Sequence, residues 1–329
     1  MITSDHGYYC EGIMAASNQP ASRLATVYNY GSINIDHVYR VPHLVRPGET
    51  LSSTDYQIVL GGKGANQTIA LARAGGQASH WGQLGRADDW ALETLKDAGA
   101  NIDNVALLES ASGHTVIQVD DDGENAIVLF GGTNQRFTPE RIGELINGAD
   151  SDGWLLLQNE CNAIEDVIRQ ALARGLKVAF NPAPMTPAIR ELPLSELSLL
   201  FVNRGEAAAL VELEEDSDAD TLIEALQTAL PGVNIVLTLG SEGAWRLDGE
   251  RGDTLYQPAR PVQAVDTTGA GDTFIGYYMA ALQAGFDDTT CLERATAAAA
   301  LAVQRAGAAT GIPTVEEVET FLQVAARQP

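Results

Sequence analysis

Lysine is almost absent from this sequence of 329 residues and occurs only at Lys63, Lys96 and Lys177. Lysine and arginine together number 20 against 44 aspartate and glutamate residues, which gives a formal net charge of −24. A polyanion repels phosphate backbones and anionic lipid headgroups, and no local basic patch counters this field. We therefore expect neither nucleic acid nor a membrane surface as a partner.

Cysteine is also rare, with residues only at Cys10, Cys161 and Cys291. An odd number of widely spaced cysteines predicts no disulfide framework, and no C-x-x-C pattern indicates a metal site. We therefore expect a reducing, cytoplasmic setting. No run of about 18 apolar residues is present, so we expect no membrane span. Residues 1–22 lack the basic and apolar regions of a secretory signal, and we expect a disordered N-terminal extension there.

The chain has enough apolar material for a sizeable core, because 45% of its residues are hydrophobic and only 19% are charged. On length alone, this favours one large α/β domain or two smaller domains. Beyond residue 139, apolar runs alternate with helical stretches, which indicates a mostly parallel sheet covered by helices on both faces. The apolar runs are 154–157, 177–180, 199–202 and 235–239.

The first third of the chain has a different pattern, in which short β-rich segments replace this alternation. They occur around 37–60 and 113–131, and the second segment contains two apolar runs that flank the acidic turn 120–125. Such a turn between two runs is typical of a β-hairpin. A helix at 65–74 and a strand at 79–83 lie between the two segments. We predict that a small β-structured element is inserted into the α/β body.

The segment 265–274, Val-Asp-Thr-Thr-Gly-Ala-Gly-Asp-Thr-Phe, is the strongest candidate for chemistry. Gly269, Ala270 and Gly271 are predicted to leave backbone N–H groups free at the start of a helix, where a phosphoryl group in transfer can bind. Asp272 lies at the same end and could accept the proton of a substrate hydroxyl that attacks phosphorus. The alternative is that Asp272 only caps the helix.

This segment resembles the C-terminal signature of the ribokinase-like (PfkB) carbohydrate kinases. Further motifs precede it in the family's order: Gly-Ser-Ile-Asn-Ile-Asp at 31–36, Gly-Gly-Lys-Gly-Ala-Asn-Gln at 61–67, Asn-Pro-Ala-Pro at 181–184 and Asn-Arg-Gly-Glu at 203–206. The resemblance implies a three-layer α/β/α ribokinase-like fold with a mostly parallel central sheet plus a small β-sheet lid. It implies one kinase domain over 23–329, with the lid contributed by the segments around 37–60 and 113–131.

The N-terminal motifs supply candidates for sugar binding. Asn34 and Asp36 alternate along a strand, so both side chains should point to one side, where an amide and a carboxylate can bracket vicinal hydroxyls. Gly61, Gly62 and Gly64 allow a ligand to approach the backbone closely. Ordinary polar turns are the alternative. By resemblance, the sugar would be held by Asn34, Asp36, Gly62, Lys63, Gly64, Asn66, Glu160 and Asp272.

Later motifs point to the nucleotide. Asn203 and Glu206 stand one helical turn apart after an apolar strand, and their oxygens could order Mg²⁺ through water. The alternative is a helix cap followed by a surface acid. The resemblance assigns this pair to the region of Mg²⁺ and the ATP phosphates. It implies that ATP is bound by Asn203, Thr238, Gly240, Ser241, Gly243, Gly271 and Thr296.

The resemblance also implies K⁺ as a monovalent activator beside the phosphoryl-binding loop. Its ligands would be mostly backbone carbonyls, so only the carboxylate of Asp266 carries information as a side chain. Gly311 stands where the family more often has serine. The implied ligands are Asp266, Thr268, Ala302, Arg305, Gly307 and Gly311.

These features predict ATP-dependent phosphorylation of a sugar hydroxyl, with Asp272 as the base and the amides of 269–271 stabilising the moving phosphoryl group. The resemblance implies that the acceptor is O5 of D-ribose and the product ribose 5-phosphate. Deoxyribose, fructose or a nucleoside is the alternative acceptor, and a non-catalytic sugar-binding protein is the alternative of another class. Lids in this family often pair two subunits, so we expect a homodimer formed through the β lid.

Overall fold

The computed structural model describes residues 24–325, so the predicted N-terminal extension lies outside the described residues. The strands are β1 (Val27–Tyr30), β2 (Asn34–Arg40), β3 (Asp55–Gly61), β4 (Ala78–Trp81), β5 (Gln83–Gly85), β6 (Ala106–Leu108), β7 (Gly113–Val119), β8 (Asn125–Phe130), β9 (Trp154–Gln158), β10 (Lys177–Asn181), β11 (Leu199–Asn203), β12 (Asn234–Thr238), β13 (Ala244–Leu247) and β14 (Thr254–Gln257).

The α-helices are α1 (Lys63–Arg73), α2 (Ala91–Asp97), α3 (Pro139–Gly148), α4 (Ile164–Arg174), α5 (Arg204–Val211), α6 (Ala219–Ala229), α7 (Ala270–Gln283), α8 (Asp288–Ala302), α9 (Ala308–Gly311) and α10 (Val315–Ala325). Within this described range, no helix combines the length and the apolar character needed to cross a membrane.

An eight-stranded sheet forms the centre of the molecule, in the order β14-β13-β12-β11-β10-β9-β1-β4. In the part of the sheet that runs β12-β11-β10-β9-β1-β4, each strand is parallel to its neighbours. Helices α3 to α6 pack on one face, and α1, α2, α7 and α8 pack on the other. In β9, Leu155 and Leu157 belong to the first core and Leu156 to the second, as alternation along a doubly covered strand requires. The predicted three-layer α/β/α architecture with a mostly parallel sheet is confirmed.

A separate four-stranded sheet, in the order β3-β2-β7-β8, is built from the two β-rich segments in the first third of the chain. Strands β2 and β7 are parallel, whereas β3 and β8 pair antiparallel at the two edges. In the predicted hairpin turn between β7 and β8, Asp120 Oδ1 accepts the N–H groups of Asp122 and Glu124. The end of β3 at Gly61 pairs with the start of β2 at Asn34, and α1 begins two residues later at Lys63.

Two parts of the described chain differ from the sequence-based expectation. The single strand predicted at 79–83 is split at Gly82, because β4 joins the central sheet while β5 pairs with β6. A β-carbon on Gly82 would stand 2.6 Å from Nε2 of His80, so a glycine is needed where the chain passes that ring. Strands β13 and β14, the last two at one side of the central sheet, pair antiparallel. They were not predicted, because each has only four residues and neither is a continuous apolar run.

Candidate active site

The carboxyl ends of three neighbouring strands and the first turns of two helices enclose a cavity of about 240 Å³. Asn181, Asn203 and Thr238 end β10, β11 and β12. Lys63 begins α1, and Asp272 lies in the first turn of α7. Ligands of open α/β sheets bind in the crevice at this edge of the sheet. The topology therefore brings both glycine-rich motifs to the place where a ligand is expected.

The carboxylate of Asp272 is held by two amide side chains. Oδ2 accepts a hydrogen bond from Asn66 Nδ2 at 3.0 Å, and Oδ1 accepts one from Gln67 Nε2 at 3.0 Å. Asp272 is only 7% exposed and lines the cavity. The N-cap of α7 is Gly269, and no side chain caps the start of this helix. The carboxylate is therefore not a helix cap, and it is placed where it can accept a proton.

The turn that leads into α7 favours the close approach of an anion. Gly269 has a φ of 75°, and a β-carbon there would stand 2.8 Å from a β-carbon of α9, so the position requires glycine. Helix geometry leaves the N–H groups of Gly271 and Asp272 without intrahelical acceptors, and both residues line the cavity. The prediction of a free N–H at Ala270 is wrong, because this group donates to the Thr267 carbonyl at 3.2 Å and closes the turn.

Lys63 is the sole lysine or arginine among the residues that line this cavity. The charge of Asp272 raises the pKa of the Lys63 ammonium group, burial opposes the rise, and Glu160 and Glu206 add to it. The partly buried lysine therefore stays protonated. A fixed cation beside a carboxylate and a helix N-terminus suits a cavity that receives phosphoryl oxygens.

The predicted sugar-binding pair lies on β2, next to the end of β3. Asp36 Oδ1 accepts a hydrogen bond from Thr115 Oγ1 at 2.6 Å, and Asn34 Oδ1 accepts one from Asn134 Nδ2 at 2.7 Å. Burial raises the pKa of Asp36, and the bond from Thr115 offsets part of this effect. These contacts orient both side chains and leave Nδ2 of Asn34 and Oδ2 of Asp36 for hydroxyl groups of a ligand.

Glu160, which follows β9, also contacts the glycine-rich motif. Its Oε2 accepts hydrogen bonds from the hydroxyl of Ser32 and, at 2.8 Å, from the backbone N–H of Lys63. Burial raises the pKa of Glu160, whereas the bond from Ser32 lowers it. The structure therefore brings Glu160 together with the other predicted sugar-binding residues, and its second oxygen is left for a ligand.

The remaining residues of the glycine-rich motif shape the first turn of α1. Gly62 is the N-cap of the helix with a φ of 93°, which favours glycine. A β-carbon on Gly64 would stand 2.4 Å from the backbone of Gly31, so α1 can start this close to β1 only with glycine here. Asn66 Oδ1 is buried and has no hydrogen-bond partner within the described residues. A bound hydroxyl would satisfy that oxygen, since buried acceptors are rarely left unpaired.

A larger cavity of about 470 Å³ adjoins the first, and Thr238, Thr267 and Gly271 line both. Its walls are largely apolar, and the buried Oγ1 of Thr296 has no hydrogen-bond partner among the described residues. A cavity of this size, with apolar walls and a few polar atoms, suits a nucleotide. Six of the seven residues predicted to bind ATP line it, namely Thr238, Gly240, Ser241, Gly243, Gly271 and Thr296, while Asn203 lines the smaller cavity.

Asn203 and Glu206 form a capping box at the start of α5. Asn203 Oδ1 accepts the Glu206 N–H at 2.8 Å, and Glu206 Oε2 accepts the Asn203 N–H at 3.0 Å. The pair therefore does cap a helix, yet both residues also line the cavity beside Asp272. Residues 24–325 hold no cluster of three or more acidic, histidine or cysteine side chains that could bind a metal ion. The pair fits Mg²⁺ through water and phosphate oxygens, since this ion usually keeps several waters.

The residues predicted to hold K⁺ lie around the turn before α7. The carboxylate of Asp266 accepts the N–H groups of Thr268 at 2.9 Å and Gly307 at 2.8 Å. Burial acts to raise the pKa of Asp266, but these bonds outweigh it and keep the pKa lowered. A β-carbon on Gly311 would lie 3.3 Å from the carbonyl oxygen of Ala302, so these two predicted ligands are neighbours, and the Val303 carbonyl accepts the Asp266 N–H at 3.1 Å. An ionised carboxylate beside backbone carbonyls fits a hard cation.

Three polar residues of the site were not singled out by the sequence. Gln67 binds Asp272, Gln158 binds Gln67, and Asn134 binds Asn34. Gln67 was visible only as the last letter of its motif. The partners of Asn134 and Gln158 are 100 and 91 residues away in the chain, so no local spacing could have revealed them.

Comparison with known proteins agrees with this geometry. The model of the pfkB family carbohydrate kinases matches residues 25–315. A ribokinase from Haemophilus influenzae is 35% identical, and the match covers 89% of this chain and 97% of the relative. A ribokinase from Schizosaccharomyces pombe is 34% identical, and the match covers 88% of this chain and 95% of the relative. The structure of Arabidopsis thaliana ribokinase complexed with ribose and ATP has a TM-score of 0.81 at 30% identity and covers 92% of this chain and 99% of that one. The chain therefore belongs to the pfkB family of carbohydrate kinases.

Proposed function

We propose that this protein transfers the γ-phosphoryl group of ATP to the O5 hydroxyl of D-ribose and releases ribose 5-phosphate and ADP. The position of Asp272 carries the proposal. Its buried carboxylate lines the small cavity, and the preceding Gly271 lines both that cavity and the larger one. Ribose is the preferred acceptor because the relatives described above are ribokinases and one of them was solved with ribose and ATP.

The chemistry follows from the residues around the small cavity. Asp272 accepts the proton of O5 while the new O–P bond forms and ADP leaves with the electrons of the broken O–P bond, and the proton then passes to solvent. The N–H groups of Gly271 and Asp272, with the dipole of α7, stabilise negative charge on the moving phosphoryl group. Lys63 adds a fixed positive charge on the other side. Positioning and electrostatics supply most of the acceleration in this reaction class.

Two ions belong to the proposal. Mg²⁺, when bound, neutralises part of the charge on the ATP phosphates, and Asn203 and Glu206 would hold it through water. K⁺ would be held by Asp266 and the carbonyls near Gly311. Because that turn leads directly into α7, a cation there would reinforce the positive end of the helix without touching the substrate.

The small sheet is proposed to act as a lid and as a dimer interface. A lid over the sugar would keep water away from the phosphoryl group. Strand β8 is an edge strand of this sheet. Its Ile127, Val128, Leu129 and Phe130 are between 49% and 68% exposed. An exposed apolar edge is a site for pairing with another strand, and we propose that the same strand of a second copy covers it.

We also propose that the enzyme works in the cytoplasm. Its phosphoryl donor is ATP, and Cys161 and Cys291 are buried free thiols. Unpaired cysteines are the usual state in a reducing compartment. Fractionation of source cells, with activity followed in the cytosolic fraction, tests this location.

The decisive test is an acceptor panel with purified protein. ADP formation is followed in a coupled assay with D-ribose, 2-deoxy-D-ribose, D-fructose and adenosine, with and without K⁺. We expect the highest kcat/KM for D-ribose, and ³¹P NMR of the product should show a phosphate ester on C5 of ribose. Turnover confined to fructose or to the nucleoside would show that ribose is not the acceptor. No turnover with any of the four compounds would favour a binding protein.

A pair of variants tests the assigned base. Asp272→Asn should lower kcat by at least about 10²-fold, because the amide cannot accept the proton. Asp218→Asn is the matched control, since Asp218 caps the start of α6 through the N–H of Thr221 and lies on the surface. It should lose some stability but keep its turnover. Near-normal turnover of Asp272→Asn would contradict the role of base.

A further inference from the structure

Gln67 makes three buried hydrogen bonds with one side chain. It lies in α1 and is 0% exposed. Its Nε2 donates to Oδ1 of Asp272 at 3.0 Å and to Oδ1 of Asn181 at 3.2 Å, and its Oε1 accepts from Nε2 of Gln158 at 2.7 Å. Both hydrogens of the amide are therefore used. Gln67 does not line the small cavity. It therefore contacts the carboxylate of Asp272 from the protein interior.

The bond from Gln158 fixes which way the Gln67 amide points. Gln158 Nε2 also donates to Oδ1 of Asn29 at 3.0 Å. Nδ2 of Asn29 in turn donates to the carbonyl of Gly64 at 2.9 Å and to Oγ1 of Thr68 at 2.8 Å. Each amide thus uses its nitrogen as the donor. If Gln67 were flipped, its oxygen would face the oxygens of two acceptors and its nitrogen would face a donor.

A buried histidine ends this series of bonds. Thr68 Oγ1 lies 2.7 Å from Nδ1 of His80, which is 0% exposed. Burial lowers the pKa of His80 to about 4, so its ring is neutral near pH 7. The tautomer of His80 decides which of these two atoms donates, since the Thr68 oxygen can accept a second bond beside the one from Asn29. Among the described residues, Nε2 of His80 and Oε1 of Gln158 are buried without a hydrogen-bond partner, while the bonds that join Gln67, Gln158, Asn29 and Thr68 are all made. Linked buried hydrogen bonds of this kind hold their members in one arrangement.

The other branch leads to the nucleotide side of the cavity. Nδ2 of Asn181 donates to Oε2 of Glu206 at 3.4 Å and to the carbonyl of Phe201 at 3.3 Å. Gln67 therefore connects Asp272 to Glu206 through a single intervening amide. One buried side chain touches the acid of α7 and, through β10, the acid of α5.

We infer that Gln67 is a positioning residue, which orients the carboxylate of Asp272 toward the acceptor hydroxyl and sets its place relative to Glu206. This inference rests on the proposed role of Asp272 as base. Without the Gln67 donor, Oδ1 of Asp272 would lose a buried partner and the carboxylate could rotate away from its working orientation. Displacements on the order of 1 Å can cost about 10²-fold in rate even when substrate binding is unchanged.

The test compares Gln67→Glu with the wild-type enzyme across pH. The variant keeps the shape and the acceptor for Gln158, but it places a second carboxyl group against Asp272. Two such groups share a proton, so the acid limb of the kcat/KM profile should move up by about one pH unit. In the plateau, kcat should fall by about 10-fold to 10²-fold while KM for ribose changes by less than about threefold.

Gln83→Glu is the matched control, because Gln83 is also buried and takes no part in these bonds. It should lower the melting temperature but leave the acid limb in place. If Gln67→Glu does not fold, Gln158→Met removes the bond that orients Gln67, together with the bond to Asn29, and leaves the bond from Gln67 to Asp272 in place. A loss of kcat at constant KM then supports the inference. An unmoved acid limb in Gln67→Glu, or an unchanged kcat in Gln158→Met, would overturn it. Wild-type protein without turnover on any acceptor would instead refute the proposed function.

Discussion

Gly61 and Asp36 lie so close together that a β-carbon on Gly61 would stand 1.9 Å from Oδ2 of Asp36. The two residues are on adjacent strands, β3 and β2, and the carboxylate occupies the space that any other residue's side chain would need. Oδ1 of the same carboxylate is held by Thr115. The absence of a side chain at Gly61 therefore determines where Asp36 presents its free oxygen.

Gly61→Ala should damage sugar binding with little effect on the chemical step. The added methyl group displaces the Asp36 carboxylate, and losing one charge-assisted hydrogen bond to a hydroxyl costs about 1.5–3 kcal/mol, or about 10-fold or more in KM for ribose. Steady-state kinetics measures this, with kcat expected within about threefold of wild type. Gly143→Ala is the control, because a β-carbon at that helical position meets nothing within 4 Å. An unchanged KM in Gly61→Ala would remove Asp36 from the sugar site.

The sequence predicted the residues at the chemical centre better than the buried residues that orient them. Asp272, Gly269 and Lys63 are recognisable because they stand in short motifs whose residue types are unusual at that spacing. Gln67 looks like any polar residue of a helix until folding brings it to Asp272, 205 residues away. The Thr267 carbonyl that engages the Ala270 N–H depends on the local turn, which residue types alone do not reveal.

Lys63→Met should abolish most of the activity while leaving the fold intact. It removes the sole cation among the residues lining the small cavity, so kcat/KM should fall by about 10²-fold or more. Lys96→Met, at an exposed position of α2, is the control and should match wild type. Circular dichroism and melting temperature check the fold of both. Activity retained in Lys63→Met would show that the cation is dispensable.

The raised pKa of Lys63 also predicts how kcat/KM of the wild-type enzyme depends on alkaline pH. Because the Asp272 charge raises the pKa of Lys63, the ammonium group should stay protonated past its ordinary value of about 10.4. We therefore expect kcat/KM for ribose to show no loss from this group between pH 7 and pH 9.5. A fall with a midpoint near pH 8 that is missing in Lys63→Met would contradict the raised pKa.

Glu206→Gln should be less active than wild type but at least as stable near neutral pH. Burial raises the pKa of Glu206 in the folded state, so its contribution to stability is full at low pH and is lost as pH rises through that raised pKa. Glutamine keeps the acceptor of the capping box without the charge. The melting-temperature difference between variant and wild type should favour the variant more at pH 7.5 than at pH 5.

Glu317→Gln gives the opposite sign and serves as the comparison. A hydrogen bond from Arg305 lowers the pKa of Glu317, so its stabilising contribution is present above the ordinary pKa and is lost as pH falls through the lowered one. This variant should melt below wild type at pH 7.5, with the gap closing in acid. If the melting temperatures of both variants shift in the same direction from wild type at pH 7.5, burial does not determine how Glu206 contributes to stability.

Val128→Glu should break the proposed dimer without unfolding the monomer. Val128 is 68% exposed on the edge strand β8, so a charge there costs little in a monomer but would be buried without a partner where two copies meet. Val324→Glu makes the same change at a 53% exposed position of α10, far along the chain from the small sheet, and should leave association unaltered. Sedimentation velocity at several concentrations distinguishes the two species. A wild-type protein that sediments as a monomer at all of them, or a Val128→Glu protein that remains a dimer, would rule out β8 as the interface.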